Sequence, residues 1–217
     1  MENSVKLVWA TPEIDKHVAY CARVSNPAGQ ANPEHSKLLA YCLREGHFSI
    51  FEMCNVCVEI NTTRAIGRQF LRHKSIHVQE FSQRYAEAGK LGGMVEQECR
   101  MQDVANRQSS LPCVDTTLAA SWSDAQRWVW GNAARAYHEA LSQGIAKEVA
   151  RSLLPEGLTP SRIYANGNMR SWIFYLKQRL DPSTQAEHRQ LADSIRKVLQ
   201  DVAPITMAAA GLDTTPQ

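Results

Sequence analysis

Residues 69–85 concentrate side chains that can bind a phosphorylated ligand. Three of them carry fixed positive charge, namely Arg72, Lys74 and Arg84. Others can hydrogen-bond the edge of a base or a sugar hydroxyl, namely Gln69, Gln79, Glu80 and Ser82. Cations that attract a phosphate, next to groups that read amides and hydroxyls, provide the chemistry of a nucleotide site. The segment therefore predicts a nucleotide pocket.

The same basic residues also have a structural interpretation. Arg72, His73 and Lys74 fall at the predicted end of a helix, where positive side chains stabilise exposed carbonyls and the negative end of the helix dipole. This explains the helix end but not the polar, arginine-bearing segment that follows. Residues 64–84 hold five fixed positive charges and one acid, whereas the whole chain has 24 basic and 22 acidic residues. Such a local excess suits a small phosphorylated ligand better than a nucleic acid held by uniform charge.

Motifs of several common enzyme classes are missing from the sequence. It contains no glycine-rich dinucleotide loop, no Walker loop, no zincin H-E-x-x-H and no G-x-S-x-G. Cys54 and Cys57 form a C-x-x-C, but on a strand they point to opposite faces, and no second pair completes a zinc site. The 6 cysteines are scattered and no secretory signal precedes them. We therefore expect free thiols and no metal site.

Short elements are predicted to position these residues. In the first half they are a strand over residues 5–9, a helix that begins at Thr11-Pro12, a helix from Asn32-Pro33 to Gly46, a half-buried strand over residues 54–60, a helix capped by Thr62 or Thr63 that runs to about residue 73, and an extended segment over residues 78–86. Gly92-Gly93 and many polar residues predict a long loop over residues 89–110.

The second half is predicted to be more helical. Its elements are a helix that begins at Ser123, a short segment over residues 147–154, a helix over residues 168–180, and a last helix opened by a Thr184-x-x-Glu187 capping box. In the helix from Ser123, Trp128 and Val129 fall at core spacing. We expect the tail after about residue 211 to be loose.

Length and composition predict one globular domain. The chain has 217 residues, of which 44% are hydrophobic and 21% charged, values typical of a protein with a sizeable core. We expect an α+β fold with a mixed sheet and packed helices, in a single domain over residues 1–217. No apolar run approaches the ~18 residues of a membrane span, so we expect a cytoplasmic protein that contacts no membrane.

Four segments, in order along the chain, resemble the motifs of one enzyme family. Arg72-His73-Lys74, seven further residues and then Ser82-Gln83-Arg84-Tyr85 resemble the signature of the flavin-dependent thymidylate synthases. His47-Phe48-Ser49-Ile50-Phe51-Glu52 resembles the family's upstream H-x-[ST]-x-F-E segment. The downstream matches are Ala150-Arg151-Ser152-Leu153-Leu154-Pro155, and Asn168-x-Arg170-Ser171 with Arg179 and Gln185-x-Glu187.

The resemblance implies a reaction and a set of cofactors. The family converts dUMP to dTMP with methylenetetrahydrofolate as carbon donor and NADPH as reductant, through bound FAD. It also implies a homotetramer with sites between subunits. None of the cysteines lies in the signature, which fits a family that attacks the pyrimidine without a thiolate. The flavin would carry the redox step while the protein binds, orients and polarises.

The resemblance also implies roles for individual residues. Those that would contact dUMP are Gln69, Arg72, Glu80, Ser82, Gln83, Arg84, Arg151 and Arg179. Those that would line the FAD site are His47, Ser49, Arg72, His73, Lys74, Glu80, Asn168 and Arg170. Arg151 would hold the phosphate. Arg179 would clamp the pyrimidine and stabilise negative charge on its ring oxygens, which makes it the predicted catalytic residue.

The chain departs from the family pattern at four positions, which affect details of flavin contact. Lys74 replaces the usual second arginine and loses its planar fork. Met53, Phe174 and Ser183 stand where some relatives have His, Asn and His.

Two alternative functions are open to test. A single-stranded nucleic-acid module would use the residues 64–84 patch and stack bases on Trp122, Trp128 and Trp130, although these tryptophans have the spacing of a helix core. A catalytically inactive nucleotide sensor of the same fold would bind dUMP but form no dTMP.

Overall fold

The computed structural model describes residues 4–214 and contains two antiparallel sheets. The strands are β1 (Ser4–Ala10), β2 (Asn55–Thr63), β3 (His77–Glu80), β4 (Arg100–Gln102), β5 (Ser110–Pro112) and β6 (Pro160–Asn168). The main sheet has the order β1-β2-β6-β3, and β4 and β5 form a separate hairpin. Each neighbouring pair in the main sheet is antiparallel, so the prediction of a mixed sheet was wrong.

The described range contains eight α-helices. They are α1 (Ile14–Ala22), α2 (Ser36–Arg44), α3 (Arg64–Phe70), α4 (Thr116–Ser142), α5 (Lys147–Ala150), α6 (Met169–Arg179), α7 (Ala186–Val202) and α8 (Pro204–Ala209). One continuous apolar cluster joins the sheet to α1, α2, α3, α6, α7 and α8. The fold is therefore a single α+β domain, as the sequence predicts.

The sheet centre is formed by β2 and β6, which pair from Asn55–Asn168 to Thr63–Pro160. The sequence predicts a half-buried β2. In the structure β1 and β6 flank it and both of its faces are covered, so only Asn55 and Glu59 remain partly exposed. β6 was not predicted, because its proline, glycine and asparagines obscure the strand pattern.

Two predicted helix starts are confirmed by their caps. The Thr63 hydroxyl accepts a hydrogen bond from the Ile66 amide at 3.3 Å and opens α3. The Asn168 carboxamide accepts one from the Ser171 amide at 2.8 Å and opens α6. Since α3 and α6 carry or adjoin half of the predicted site residues, these caps fix where those side chains emerge.

Two other predicted starts are wrong for identifiable reasons. Thr11 does not cap α1, because its hydroxyl accepts from the Asn55 amide at 3.0 Å and ties the start of β2 instead. The chain then passes through Glu13 with φ 48° before α1 begins. The capping box before α7 does not form, because the Glu187 carboxylate binds Arg100 and Gln185.

Helix α4 differs most from the prediction. It begins at Thr116, capped by Asp115, seven residues before the expected start. Trp128 is 71% exposed and Val129 41%, although both have core spacing. We call Leu118, Trp122, Trp128 and Val129 the α4 apolar patch, since all four are exposed. Helical periodicity identified an apolar face but not what covers it.

The remaining differences concern loops and the chain end. The long loop expected over residues 89–110 contains β4 and reaches β5. Leu212 is buried, so the loose tail does not begin at residue 211, and residues 215–217 lie outside the described range. Over residues 4–214, no helix combines the length and apolarity that crossing a membrane requires.

Candidate active site

Two predicted site residues meet where α6 ends beside the turn that follows α3. The Arg179 Nε donates to His73 Nε2 at 2.9 Å. His73 also packs edge-on against buried Tyr175, with ring centroids 4.8 Å apart. The contact places a fixed cation against a neutral imidazole nitrogen.

The electrostatics of His73 follow from this contact. Burial and the nearby Arg179 and Arg72 guanidinium groups lower the pKa of His73 to about 4. The ring is therefore neutral at pH 7, with Nε2 as acceptor and the proton on Nδ1. Arg179 keeps its charge, so the positive charge at this point is fixed rather than titratable.

A chain of side-chain hydrogen bonds extends from the next histidine. His188 Nδ1 lies 3.1 Å from Gln69 Oε1, and Gln69 Nε2 donates to Gln185 Oε1 at 2.7 Å. Gln185 Nε2 donates to Glu187 at 2.8 Å, and Glu187 also binds Arg100. A carboxylate can only accept, so it sets the direction of both amides and leaves His188 Nδ1 as a donor. Gln69 is thereby held in one orientation.

The charge states along this chain are also fixed. Burial raises the pKa of Glu187, but hydrogen bonds from its own backbone, Gln185 and Arg100 outweigh this and hold the pKa below its usual value. Burial, Arg179 and His73 lower the pKa of His188 to about 3. His188 Nε2 and the Tyr175 hydroxyl are buried without a hydrogen-bond partner in the described range. Burial raises the pKa of that hydroxyl, so it is protonated.

Some residues of this hydrogen-bonded group border an open cleft of about 420 Å³, which we call the Arg179 cleft. Gln69, Arg179 and Gln185 line it, as do Gln108 from the β4–β5 hairpin and Ser183, one of the family departures. Its walls are mostly polar side chains, with the cations Lys177 and Arg179 and the acid Asp181 among them. This chemistry suits the carbonyl and amide groups of a pyrimidine.

A second group of site residues lines a different cavity of about 330 Å³, the Arg151 cavity. Arg64, Arg68 and Arg151 contribute positive charge to it. Gln83 is only 2% exposed, and its amide nitrogen has no partner among the described residues. A buried donor without a partner is costly, so this amide is suited to a ligand acceptor.

Glu148 contacts both Arg84 and Arg151. Its carboxylate accepts from Arg84 Nε at 3.2 Å, and its backbone carbonyl accepts from Arg151 Nε at 3.2 Å. Arg84 is otherwise exposed and lines an adjoining cavity of about 520 Å³. Ser82 lies beside it and accepts from the Arg84 amide at 3.4 Å. The arginines are thus held near one another, with most of their donors free.

The Glu80 carboxylate is held by contacts with other side chains of the protein. Its carboxylate pairs with Arg64 at 3.5 Å and Arg68 at 3.8 Å, and accepts from the Ser161 hydroxyl at 2.8 Å. These contacts link α3 to β3 and β6. Glu80 therefore orients the arginines that line the Arg151 cavity.

Five of the eight predicted FAD residues are exposed, whereas His73, Glu80 and Asn168 are partly buried. His47, Ser49, Arg72, Lys74 and Arg170 are exposed. Arg170 pairs with Glu52 and lies 5.8 Å from the centre of the Phe174 ring. Phe174 is 45% exposed and Met53 is 52% exposed. Cationic donors beside exposed apolar and aromatic surface fit a group with a pyrophosphate and flat rings, such as FAD.

The structure thus brings the predicted residues together in groups rather than in one pocket. Gln69, His73 and Arg179 are one group, and Gln83, Arg84 and Arg151 another. Sequence reasoning did not assign His188, Tyr175 or Arg100 to the site. The signal for His188 was its position beside the matched Glu187, whereas nothing in the sequence pairs Arg100 with that residue. Within residues 4–214 no His, Cys, Asp and Glu group is arranged to hold a metal ion.

Comparisons with known proteins agree with these motifs. A family model described as "Thymidylate synthase complementing protein" matches residues 6–205. The flavin-dependent thymidylate synthase of Synechocystis is 50% identical over 196 residues, covering 89% of this chain and 87% of that protein. A probable flavin-dependent thymidylate synthase of Paramecium bursaria Chlorella virus 1 is 40% identical over 203 residues, covering 90% and 93%.

A solved structure has the same fold. The crystal structure of the UMP/dUMP methylase PolB from Streptomyces cacaoi, bound with 5-Br dUMP, superposes with a TM-score of 0.85 at 24% identity, covering 99% of this chain and 98% of that chain. The motifs, the family model and the relatives agree along nearly the whole length. This chain belongs to the flavin-dependent thymidylate synthase family.

Proposed function

We propose that this protein methylates dUMP to dTMP, with methylenetetrahydrofolate as carbon donor and NADPH as reductant, through bound FAD. The observation that supports a nucleotide at this site is the buried, unpartnered amide of Gln83 in the arginine-lined Arg151 cavity. Bound FAD supplies the redox chemistry. The side chains bind the nucleotide, orient it and stabilise its charge.

The nucleotide phosphate is proposed to bind Arg84 and Arg151. Their contacts with Glu148 hold both guanidinium groups near one another. A phosphate carries more charge than the Glu148 carboxylate, so it can replace that carboxylate on Arg84. Gln83 and Ser82 would add neutral hydrogen bonds, and Glu80 would act by orienting Arg64 and Arg68.

The pyrimidine is proposed to bind in the Arg179 cleft. Arg179 would neutralise charge that develops on a ring oxygen, and neutral His73 holds its guanidinium in place. Gln69, oriented by the chain that ends at Glu187, would read the amide edge together with Arg72. A fixed cation serves here because it stabilises charge without exchanging a proton.

We also propose that the complete site forms between subunits of a homotetramer. Within one protomer Arg179 and Arg151 line different cavities, so one nucleotide would reach both through residues of neighbouring copies. The exposed α4 apolar patch supports such an assembly, because large apolar side chains favour burial. A cytoplasmic location stays a prediction.

The FAD contacts are proposed for His47, Ser49, Arg72, His73, Lys74, Glu80, Asn168 and Arg170. The donor chemistry of the exposed cations and the open Phe174 face support this assignment. Asn168 already uses its carboxamide oxygen to cap α6, which leaves its amide nitrogen for a ligand. The carboxamide oxygen and the amide nitrogen of Asn168 can therefore be tested separately.

An anaerobic assay of dTMP formation tests the reaction. We expect product only when dUMP, methylenetetrahydrofolate, NADPH and FAD are all present. Arg179→Ala should retain the fold and lose most dUMP-dependent turnover, whereas Lys197→Ala, which removes an exposed positive charge on α7, should remain active. Binding of dUMP without dTMP under any condition would instead support the nucleotide sensor. Full turnover in Arg179→Ala would contradict the role of that residue.

A further inference from the structure

Two partly exposed thiols flank the β4–β5 hairpin. Arg100 pairs with Pro112 at the open end of the hairpin, so Cys99 and Cys113 follow as the next opposed positions. Burial and then the neighbouring Cys113 thiol raise the pKa of the Cys99 thiol, as expected where two thiols lie close together. Opposed residues of antiparallel strands have Cα atoms about 4.5–5.5 Å apart, a separation that a disulfide spans.

No other pair among the six free cysteines has these properties. Cys42, Cys54 and Cys57 are buried, which protects them from oxidants in solution. Cys21 is partly exposed, but its neighbouring thiol is the fully buried Cys54. Cys99 and Cys113 therefore combine proximity with access, as disulfide exchange requires.

The hairpin forms one wall of the Arg179 cleft. Arg100, next to Cys99, binds Glu187 and so joins the hairpin to the chain that orients Gln69. Gln108, between the two strands, lines the cleft directly. A cross-link at the open end of the hairpin would hold its two strands together and so restrict the opening of the segment that carries Arg100 and Gln108.

We propose that Cys99 and Cys113 form a reversible disulfide that joins the two strands of the β4–β5 hairpin at its open end. With a small-molecule disulfide such as oxidised glutathione, the thiolate of one cysteine attacks a glutathione sulfur and releases one glutathione. The thiolate of the second cysteine attacks the protein sulfur of this mixed disulfide and releases the other. The protein loses two protons and two electrons, and one oxidised glutathione becomes two reduced molecules. Excess thiol reverses both steps.

Peptide mapping of the full chain tests the cross-link. Trypsin cleaves after Lys90, Arg100, Arg107 and Arg127, so Cys99 and Cys113 fall in separate peptides, 91–100 and 108–127. After oxidised glutathione and alkylation in denaturant, we expect these peptides joined, lighter by two hydrogens than their sum, and separated by dithiothreitol. Recovery of both peptides unlinked, or linked only between chains in a non-reducing gel, would overturn the proposal.

Variants and hydrogen exchange test the pairing and its effect. Cys99→Ser and Cys113→Ser should each abolish the linked peptide, whereas Cys21→Ser should leave it unchanged. Amides of residues 100–112 should exchange more slowly after oxidation of the wild-type chain but not of Cys113→Ser. Equal exchange before and after oxidation would overturn the proposal that the disulfide restrains the hairpin. These readouts need no nucleotide or flavin, so they are independent of the proposed function.

Discussion

The Gln83 side chain illustrates how the environment of a proposed binding group differs from that of a stabilising one. Its amide nitrogen is buried and has no hydrogen-bond partner among the described residues, while arginines line the same cavity. Such a group lowers the stability of the free protein and gains its hydrogen bond only with a ligand. Arg64, by contrast, is buried with its charge paired to Glu80 and Glu156.

This contrast predicts opposite effects on binding and stability. Gln83→Leu should weaken dUMP binding about tenfold, the value of one hydrogen bond, while the free energy of unfolding stays equal or rises. Calorimetric titration and urea unfolding measure the two quantities. Thr62→Val is the matched control, because Thr62 also has a buried, unpartnered hydroxyl but does not line the Arg151 cavity. A loss of stability in Gln83→Leu without weaker binding would contradict the assignment.

Partly buried His73 and fully buried His188 predict how stability depends on pH. In the folded chain the pKa values of His73 and His188 are about 4 and about 3, below the ordinary 6.5. Between those limits the unfolded chain binds protons that the folded chain does not, so the free energy of unfolding falls as pH decreases from 6.5. Each histidine contributes a slope of up to about 1.4 kcal/mol per pH unit.

Replacing one histidine tests this slope. His188→Asn keeps a donor for Gln69 and removes the titrating ring. Urea unfolding between pH 6.5 and pH 5, at one protein concentration, should therefore show a slope smaller by about one proton than in the wild-type chain. An identical slope in the variant would show that His188 does not titrate differently on unfolding.

Among the elements, α6 and α4 show when periodicity suffices. In α6 the predicted core residues Met169, Trp172 and Leu176 are all fully buried, because the helix packs against both β6 and the neighbouring α7. In α4 the same kind of spacing predicted a buried Trp128 that is 71% exposed. A pattern of apolar residues shows which face avoids water, but not whether the same chain or another copy covers it.

The cap of α6 allows a structural and a binding role to be separated. Asn168→Ala removes the acceptor for the Ser171 amide and should cost about 1 kcal/mol of stability. Asn168→Asp keeps a good cap but lacks the amide donor and adds negative charge. We therefore expect Asn168→Asp to unfold at the wild-type denaturant concentration yet bind FAD at least tenfold more weakly, measured by flavin fluorescence. Wild-type FAD affinity in both variants would leave Asn168 with the cap alone.

At the scale of the whole molecule, motif order predicted a set of site residues but not how the fold distributes them. The matched segments supplied Gln69, Arg151 and Arg179 from distant parts of the chain. Only the fold shows that Arg179 and Arg151 line separate cavities of one protomer. The hydrogen bonds from Arg100 to Glu187 and from Arg179 to His73 join segments far apart in sequence, and neither pairing has a local pattern that reveals it.

The α4 apolar patch therefore provides the test of the assembly. Trp128→Asp places a charge where the proposed tetramer buries an indole, so light scattering should show a smaller species than the assembly proposed for the wild-type chain. Because the proposed site needs residues of neighbouring copies, turnover should fall together with the tetramer fraction. Val104→Asp, at a 96% exposed position between β4 and β5, should change neither. A Trp128→Asp variant that stays tetrameric would exclude this patch as the interface, and one that is active as a monomer would refute the shared site.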